Sequence, residues 1–343
     1  MANDMPPTPA DADAPRLGVV LRDPLPWPDE REIVATAEDA GYEAVFVPEI
    51  DGREAFGTLT GFAHASEQLL LGTGVVTVWS RTPVLAAMAA KTVNDMSGGR
   101  MILGVGAGSP TGLGAGSAVQ GATPLRLVEE YVRVVREAAS GEPVSTGPIG
   151  DPFGAAGFVS SIPARPFPVW LAALGDRMVG LAGRAADGVL LNWCPPERVA
   201  AARATLERAA AGAGRDPADV TVAVYVRACL GIEEEHALPP LQAMTGLYAS
   251  IPHYARKFES VGLGAEAHAA AAAIAAGRRR EVPVALVRAL TITGGRADAQ
   301  ERFAAYREAG ADLILLYPVA ALEPVSSVMG TVLAAAPNPS IQP

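Results

Sequence analysis

The stretch LGTGVVTVWSRTPVLAAMAAKTVNDMSGGRMILGVGAGS, residues 71–109, decides how the chain is read. It reads as a strand, a helix and a second strand. The run LLLGTGVVTV (69–78) is apolar and β-branched, as a strand buried on both faces is. Trp79, Ser80, Arg81 and Thr82 lead to Pro83, a favoured first helical residue. The spacing predicts a helix to about Met96, stopped by Ser97-Gly98-Gly99. The next strand, RMILGVGAG (100–108), loses its side chains at Gly104, Gly106 and Gly108. Bare backbone at a strand's carboxyl end lets a flat ring lie close against it. In a barrel of parallel strands that end carries the site.

The same alternation extends to both sides. Upstream lie RLGVVL (16–21), a helix with Asp29 as its cap that ends at Gly41, YEAVFVPE (42–49), and a helix expected around Thr58–Gln68. Downstream, the Gly-rich segment 110–120 reads as a mobile loop, and Thr123-Pro124 opens an amphipathic helix that ends before Gly141. The stretch to about Pro166 reads as irregular or as a short hairpin. PVWLAAL (168–174), DGVLLNW (187–193), DVTVAVYVRACLGI (219–232) and ADLILLYP (311–318) are further strands. Helices are expected over 176–186, after Pro195-Pro196, over 282–290 and over 297–309, with a helical insertion at about 234–281. Eight apolar strands alternating with helices predict a (β/α)8 TIM barrel, with residues 16–335 as a single domain. The competitor is a doubly wound open sheet. Its dinucleotide fingerprint is missing, because no G-x-G-x-x-G follows the first strand.

Composition narrows the class. The 343 residues are 50% hydrophobic with a net charge of -10, which argues against nucleic acid as a partner. No apolar run reaches the roughly 20 residues a membrane helix needs, so no membrane partner is expected. The first 15 residues, rich in Pro, Asp and Ala, read as a disordered tail and not as a signal peptide. Cys194 and Cys229 lack metal-ligand spacing, and the four histidines form no cluster, so no metal is expected. Reduced thiols in a cytoplasmic protein are the default reading.

Four blocks together carry a resemblance. They are AEDAGYEAVFVPE (37–49), the 71–109 stretch, PVWLAALGDRMVGLAGRAADGVLL (168–191) and ITGGRADAQERFAAYREAGADLILLYP (292–318). In this order the chain resembles the bacterial luciferase-like monooxygenase superfamily. It is most similar to the branch that uses the deazaflavin F420, or alternatively FMN. The resemblance implies a TIM barrel holding the cofactor at the carboxyl ends of its strands, and a homodimer. It implies a non-prolyl cis peptide behind the ring, here at Gly74–Val75.

The resemblance also places candidate residues. Glu49 matches an acid near the cofactor. The histidine that often follows that acid is here Ile50, so luciferase and sugar-phosphate dehydrogenase activities are not carried over. Ser109 stands where F420-dependent glucose-6-phosphate dehydrogenases have a catalytic Glu, and a serine does not do the same proton chemistry. Glu49, Thr77 and Ser109 are the candidates for acting on substrate or protons. Gly106, Ala107 and Gly108 join Gly74, Val75 and Glu49 as candidate cofactor contacts. Ala172, Ala173, Leu174, Gly175, Asp176 and Arg177 form a strand-to-helix turn, an anion site by dipole and geometry. Trp79, Trp193 and Tyr248 are candidate walls of the substrate pocket. Arg81 reads as loop support, and Tyr254 as core.

Three functions follow as expectations. The leading one is an F420-dependent oxidoreductase that moves a hydride between deazaflavin and a small organic substrate. The others are an FMN-dependent monooxygenase and a non-catalytic flavin- or deazaflavin-binding protein.

Overall fold

In the computed structural model the described residues are 16–22, 25–108, 123–163, 165–338 and 340–341. The expected tail, the expected loop at 110–120 and Ser109 lie outside them.

The parallel strands are β1 (Leu17–Val20), β2 (Ala44–Val47), β3 (Leu70–Thr73), β4 (Val76–Thr77), β5 (Met101–Gly106), β6 (Val169–Ala173), β7 (Gly188–Asn192), β8 (Thr221–Leu230), β9 (Thr291–Gly294) and β10 (Leu313–Pro318). They pair in the order β1-β2-β3-β5-β6-β7-β8, and β10 pairs with both β8 and β1, which closes the barrel. β3 and β4 are one barrel strand interrupted at Gly74–Val75, since both pair with β5. β9 is an extra strand that the sequence reading placed in no element. It pairs with Arg227–Leu230 of β8, while Arg227 and Ala228 also pair with β10. β9 therefore takes the edge of β8 that β7 leaves.

The helices covering the barrel are α1 (Trp27–Asp39), α2 (Ala55–Ala63), α3 (Pro83–Met96), α4 (Pro124–Ser140), α5 (Asp176–Ala185) and α6 (Pro196–Gly212). α7 (Glu234–Ala249), α8 (Pro252–Ser260) and α9 (Gly264–Ala275) form the insertion, followed by α10 (Val284–Leu290), α11 (Arg296–Glu308) and α12 (Pro324–Ala334). Caps explain several starts. The hydroxyls of Thr82 and Thr123 accept from Leu85 N–H and Arg126 N–H, each just ahead of a proline. Two boundaries differ from expectation. α2 starts at Ala55, because the Glu54 carboxylate accepts from Phe56 and Gly57 N–H. α1 starts at Trp27, so Asp29 lies in its first turn and does not cap it. Among the described residues between Gly141 and Pro166 the chain is irregular apart from one bridge, Gly147 to Gly150.

Alternation along the strands sorts the core into two clusters. In β8, Val222, Val224 and Val226 pack in the layer under the helices, while Ala223, Tyr225 and Cys229 belong to the barrel interior. Phe46 and Trp170 stack inside the barrel with centroids 5.6 Å apart. Neighbouring strands make room for them with glycine: a Cβ at Gly72 would lie 2.3 Å from Phe46, and one at Gly188 2.7 Å from Trp170. This filled interior leaves the carboxyl ends of the strands to carry the site. At the opposite end, an open depression lined by Arg203, Glu207, Arg208 and Asp312 gathers surface charge, with an Arg203–Asp312 ion pair across it.

Candidate active site

The break between β3 and β4 is the centre of the barrel mouth. The Gly74–Val75 peptide is cis, at the bond the resemblance singles out. Hydrogen bonds hold it from several sides. Gly74 N–H donates to Val47 O at 2.8 Å, and Tyr225 Oη donates to Gly74 O at 3.0 Å. One residue earlier, the Thr73 hydroxyl donates to Gly104 O at 2.7 Å and accepts from Gly104 N–H at 2.9 Å. A Cβ at Gly74 would fall 1.7 Å from Tyr225 Oη, so this position takes glycine only. Burial pushes the Tyr225 phenol well above its ordinary range, so it stays a neutral donor.

β5 ends alongside. Gly106 is buried, and a Cβ there would press on Ala172 at 2.9 Å and Val75 at 3.1 Å. Gly108 has φ +60° and lies against Thr77. Val78 N–H donates to Gly106 O at 3.0 Å, and Trp79 Nε1 donates to Ala107 O at 2.5 Å. Trp79 thus stitches the ends of β4 and β5 together. Thr77 is buried, with its hydroxyl 3.1 Å from Ser80 Oγ.

Glu49, just past β2, is tied to the loop after β4. Arg81 donates to its carboxylate from Nε at 3.2 Å and from Nη2 at 2.7 Å. Arg81 also pairs with Glu54 and sits 5.0 Å over the Phe56 ring. The side chains of Glu49 and Arg81 are only 9% and 17% exposed, so this pair is sheltered from water. Arg81, expected only to support a loop, is the ion-pair partner of the acid itself.

The β6–α5 turn is open. Ala172, Ala173 and Leu174 lead to Gly175, which caps α5 with no side-chain bond and has open space where a Cβ would be. Its first N–H groups lack intrahelical acceptors, as at any helix start. Asp176 and Arg177 are exposed there. Arg198 on α6 reaches under the turn, with Nη2 2.7 Å from the Asp176 carboxylate and 3.3 Å from Leu174 O.

Across the mouth, β7 and β8 end in a cluster of which the sequence reading named Trp193 and Tyr248 but not Arg227, Asn192 or Lys257. Arg227 is an inward residue of β8 and is 2% exposed. Its Nη1 donates to Asn192 Oδ1, and its guanidinium carbon lies 4.3 Å from the Trp193 ring centroid and 4.6 Å from that of Tyr317. Asn192 is held in turn. Its Nδ2 donates to Tyr254 Oη at 2.9 Å, and its backbone oxygen accepts from Lys257 Nζ at 2.5 Å. Lys257 also lies 2.8 Å from Cys194 Sγ, and burial draws its pKa below the ordinary lysine value. Cys194 and Cys229 are both free thiols.

Trp193, expected at the pocket rim, is fully buried with φ +53° and forms a floor beneath Arg227. Tyr248 is half-buried, its ring 4.8 Å from Trp193 and 4.8 Å from Tyr254. The one signal for this cluster was a single arginine in the otherwise apolar run VAVYVRACL.

Among the described residues no helix is long and apolar enough to cross a membrane. Residues 10–313 match the family model described as luciferase-like monooxygenase. A 5,10-methylenetetrahydromethanopterin reductase of Methanolobus tindarius is 33% identical over 202 residues, 59% of this chain. The chain spans 60% of the length of that relative. The F420-dependent tetrahydromethanopterin reductase from Methanopyrus kandleri superposes with a TM-score of 0.76 at 20% identity, covering 96% of this chain and 100% of that one. An F420-dependent secondary alcohol dehydrogenase, in complex with an F420-acetone adduct, gives 0.75 at 18% identity, covering 94% and 99%. At these identities the two structures establish the shared barrel.

Proposed function

The chain belongs to the luciferase-like monooxygenase family, and on that premise we propose that it is an F420-dependent oxidoreductase acting on a small organic substrate. The observation that carries the reading is the cradle at the barrel mouth. There the Gly74–Val75 peptide lies beside Gly106, Ala107 and Gly108, and across from them α5 begins without a side-chain cap. A flat tricyclic ring fits against backbone of this kind, and a phosphate fits a helix start. Gly74, Val75 and Gly106–Gly108 would hold the ring. Ala172, Ala173, Leu174, Gly175, Asp176 and Arg177 would hold the phosphate end. When bound, the deazaflavin supplies the hydride chemistry, and the protein supplies position and a dry pocket.

The chain's own contributions follow from the geometry. Tyr225 fixes Gly74 O and thereby the surface offered to the ring. Arg81 keeps the Glu49 carboxylate turned toward the β4 loop, so Glu49 serves to shape the ring's edge. Thr77, against Gly108, and Ser109 are the hydroxyls proposed to hold or pass a proton at the substrate. The similar proteins support F420-linked redox chemistry: two are reductases and one is a secondary alcohol dehydrogenase, and both solved structures are F420-dependent enzymes. A homodimer is part of the proposal, to be read by light scattering.

The test is a titration of the purified protein with F420 and, separately, FMN, followed by tryptophan fluorescence. Micromolar or tighter F420 binding with weaker FMN binding supports the reading. Loss of reduced F420 with an enone or imine panel then extends it. Preferential FMN binding with oxygen consumption replaces it by monooxygenation. Tight binding without turnover of any substrate replaces it by a binding protein.

A further inference from the structure

Among the described residues, Arg227 is a buried cation without a carboxylate partner. Among the described residues it makes no ion pair, and its one hydrogen bond runs from Nη1 to the neutral Asn192 side chain. Its Nε is buried without any acceptor. Buried guanidinium groups are ordinarily paired with carboxylates, because leaving water is unfavourable for an ion. The nearest buried cation, Lys257, has only a carbonyl oxygen and the Cys194 thiol as partners. The buried acid of the mouth, Glu49, is taken by Arg81.

The guanidinium is also immobilised. The rings of Trp193, Tyr317 and Tyr248 pack against it, at 4.3, 4.6 and 5.5 Å. Asn192 fixes one corner of the fork and is itself fixed by Tyr254 and Lys257. The edge left over is the one formed by Nε and Nη2. Two parallel N–H groups on one edge match the two oxygens of a carboxylate. Arg227 stands one inward position above Tyr225, which holds Gly74 O, so this edge belongs to the barrel mouth.

We propose that Arg227 is the receptor for a carboxylate on the substrate, so that the substrates are small carboxylate-bearing molecules. This rests on the barrel mouth being an oxidoreductase site. The Arg227 guanidinium attracts the acid, and its Nε–Nη2 edge orients it.

The test uses acids paired with their methyl esters: benzoate, cinnamate, pyruvate and fumarate. Binding to the purified protein is followed by calorimetry, and by tryptophan fluorescence, to which Trp193 against the guanidinium contributes. At least one acid binds about tenfold or more tightly than its ester, as a bidentate charge-assisted contact implies. Arg227→Met abolishes that preference and leaves ester binding in place, and Arg227→Lys keeps part of it. F420 affinity of Arg227→Met stays within about threefold of the wild type, less than one charged hydrogen bond is worth. If no acid is preferred over its ester, or the preference survives in Arg227→Met, the proposal is wrong. It is equally wrong if F420 binding falls along with it, since the guanidinium then serves the cofactor. Should Arg227→Met fail to fold, Arg227→Lys and its reduced preference carry the same decision. Acid preference without F420 binding overturns the cofactor reading alone, and F420 binding without acid preference overturns this one alone.

Discussion

The two charged corners of the barrel mouth are built on opposite terms. At the β2–α3 corner, Arg81 meets Glu49 and Glu54 and rests on Phe56, so its charge is balanced within the chain. At the β7–β8 corner, Arg227 and Lys257 are as deeply buried, yet their partners are an amide, a carbonyl oxygen and a thiol. The first corner is complete as it stands and works as structure, closing the β4 loop onto β2. The second carries positive potential into a low-dielectric pocket, where an anion from outside is the missing partner. A charge balanced internally thus points to architecture, and one left unbalanced points to a ligand.

The largest expected effect separates the corners directly. Arg81→Met leaves the Glu49 carboxylate sheltered, with only Ala55 N–H at 3.5 Å. Stranding one ion of a buried pair costs about 3 kcal/mol. Urea unfolding therefore shows the midpoint falling with an unchanged slope. The double variant Arg81→Met/Glu49→Gln recovers most of the loss, because no stranded charge remains. A double variant as unstable as the single one would break the comparison, since the loss would then come from packing on Phe56 and not from charge.

A smaller effect tests how the second corner is held. Tyr254→Phe deletes the acceptor of Asn192 Nδ2 while keeping the ring against Tyr248. Losing one neutral hydrogen bond costs about 1 kcal/mol. The same variant is expected to loosen Arg227 against Trp193, seen as a change in tryptophan emission that is absent in a Trp193→Phe background. A stability loss with unaltered emission would mean that Asn192 is not what orients the guanidinium.

The same contrast explains what the sequence made legible. The barrel was readable because eight apolar strands repeat one pattern, and a wrong boundary at Thr58 or Asp29 does not disturb it. β9 was not readable, since four residues, TITG, carry too little pattern to stand apart from the helices beside them. The bare backbone of the proposed ring cradle was legible at Gly106 and Gly108, as missing side chains show directly in a sequence, while Gly74 was singled out only through the resemblance. The charged corners were not. Glu49 was found by its place at a strand end, but its pairing with Arg81 spans 32 residues and depends on the fold. Arg227 sits among Val226, Ala228 and Cys229, and only the barrel shows that it faces inward with no carboxylate beside it. Trp193 was placed at the rim because it ends a strand, whereas its left-handed backbone turns it beneath the site.

The smallest effect is the most diagnostic. Among the described residues Lys257 is buried with no carboxylate partner, and burial lowers its pKa from the ordinary 10.5. Replacing such a cation by an apolar chain of similar length removes its desolvation penalty together with its hydrogen bonds. Lys257→Met is therefore expected to change stability at pH 7 by no more than about 1 kcal/mol, in contrast to Arg81→Met. The pH dependence has a definite sign. Between the lowered pKa of the folded protein and 10.5, the unfolded chain binds the proton that the folded one has released. Wild-type unfolding free energy thus gains with rising pH in that window. Cys229, pushed up to about 11 by burial, and the buried tyrosines titrate the opposite way, but they are common to both proteins. The difference between wild type and Lys257→Met isolates the lysine. Urea unfolding from pH 7 to 10 should show that difference moving in favour of the wild type. Parallel curves would mean that Lys257 keeps an ordinary affinity for its proton. The β7–β8 corner would then be compensated after all, and its contrast with the Glu49–Arg81 corner would dissolve.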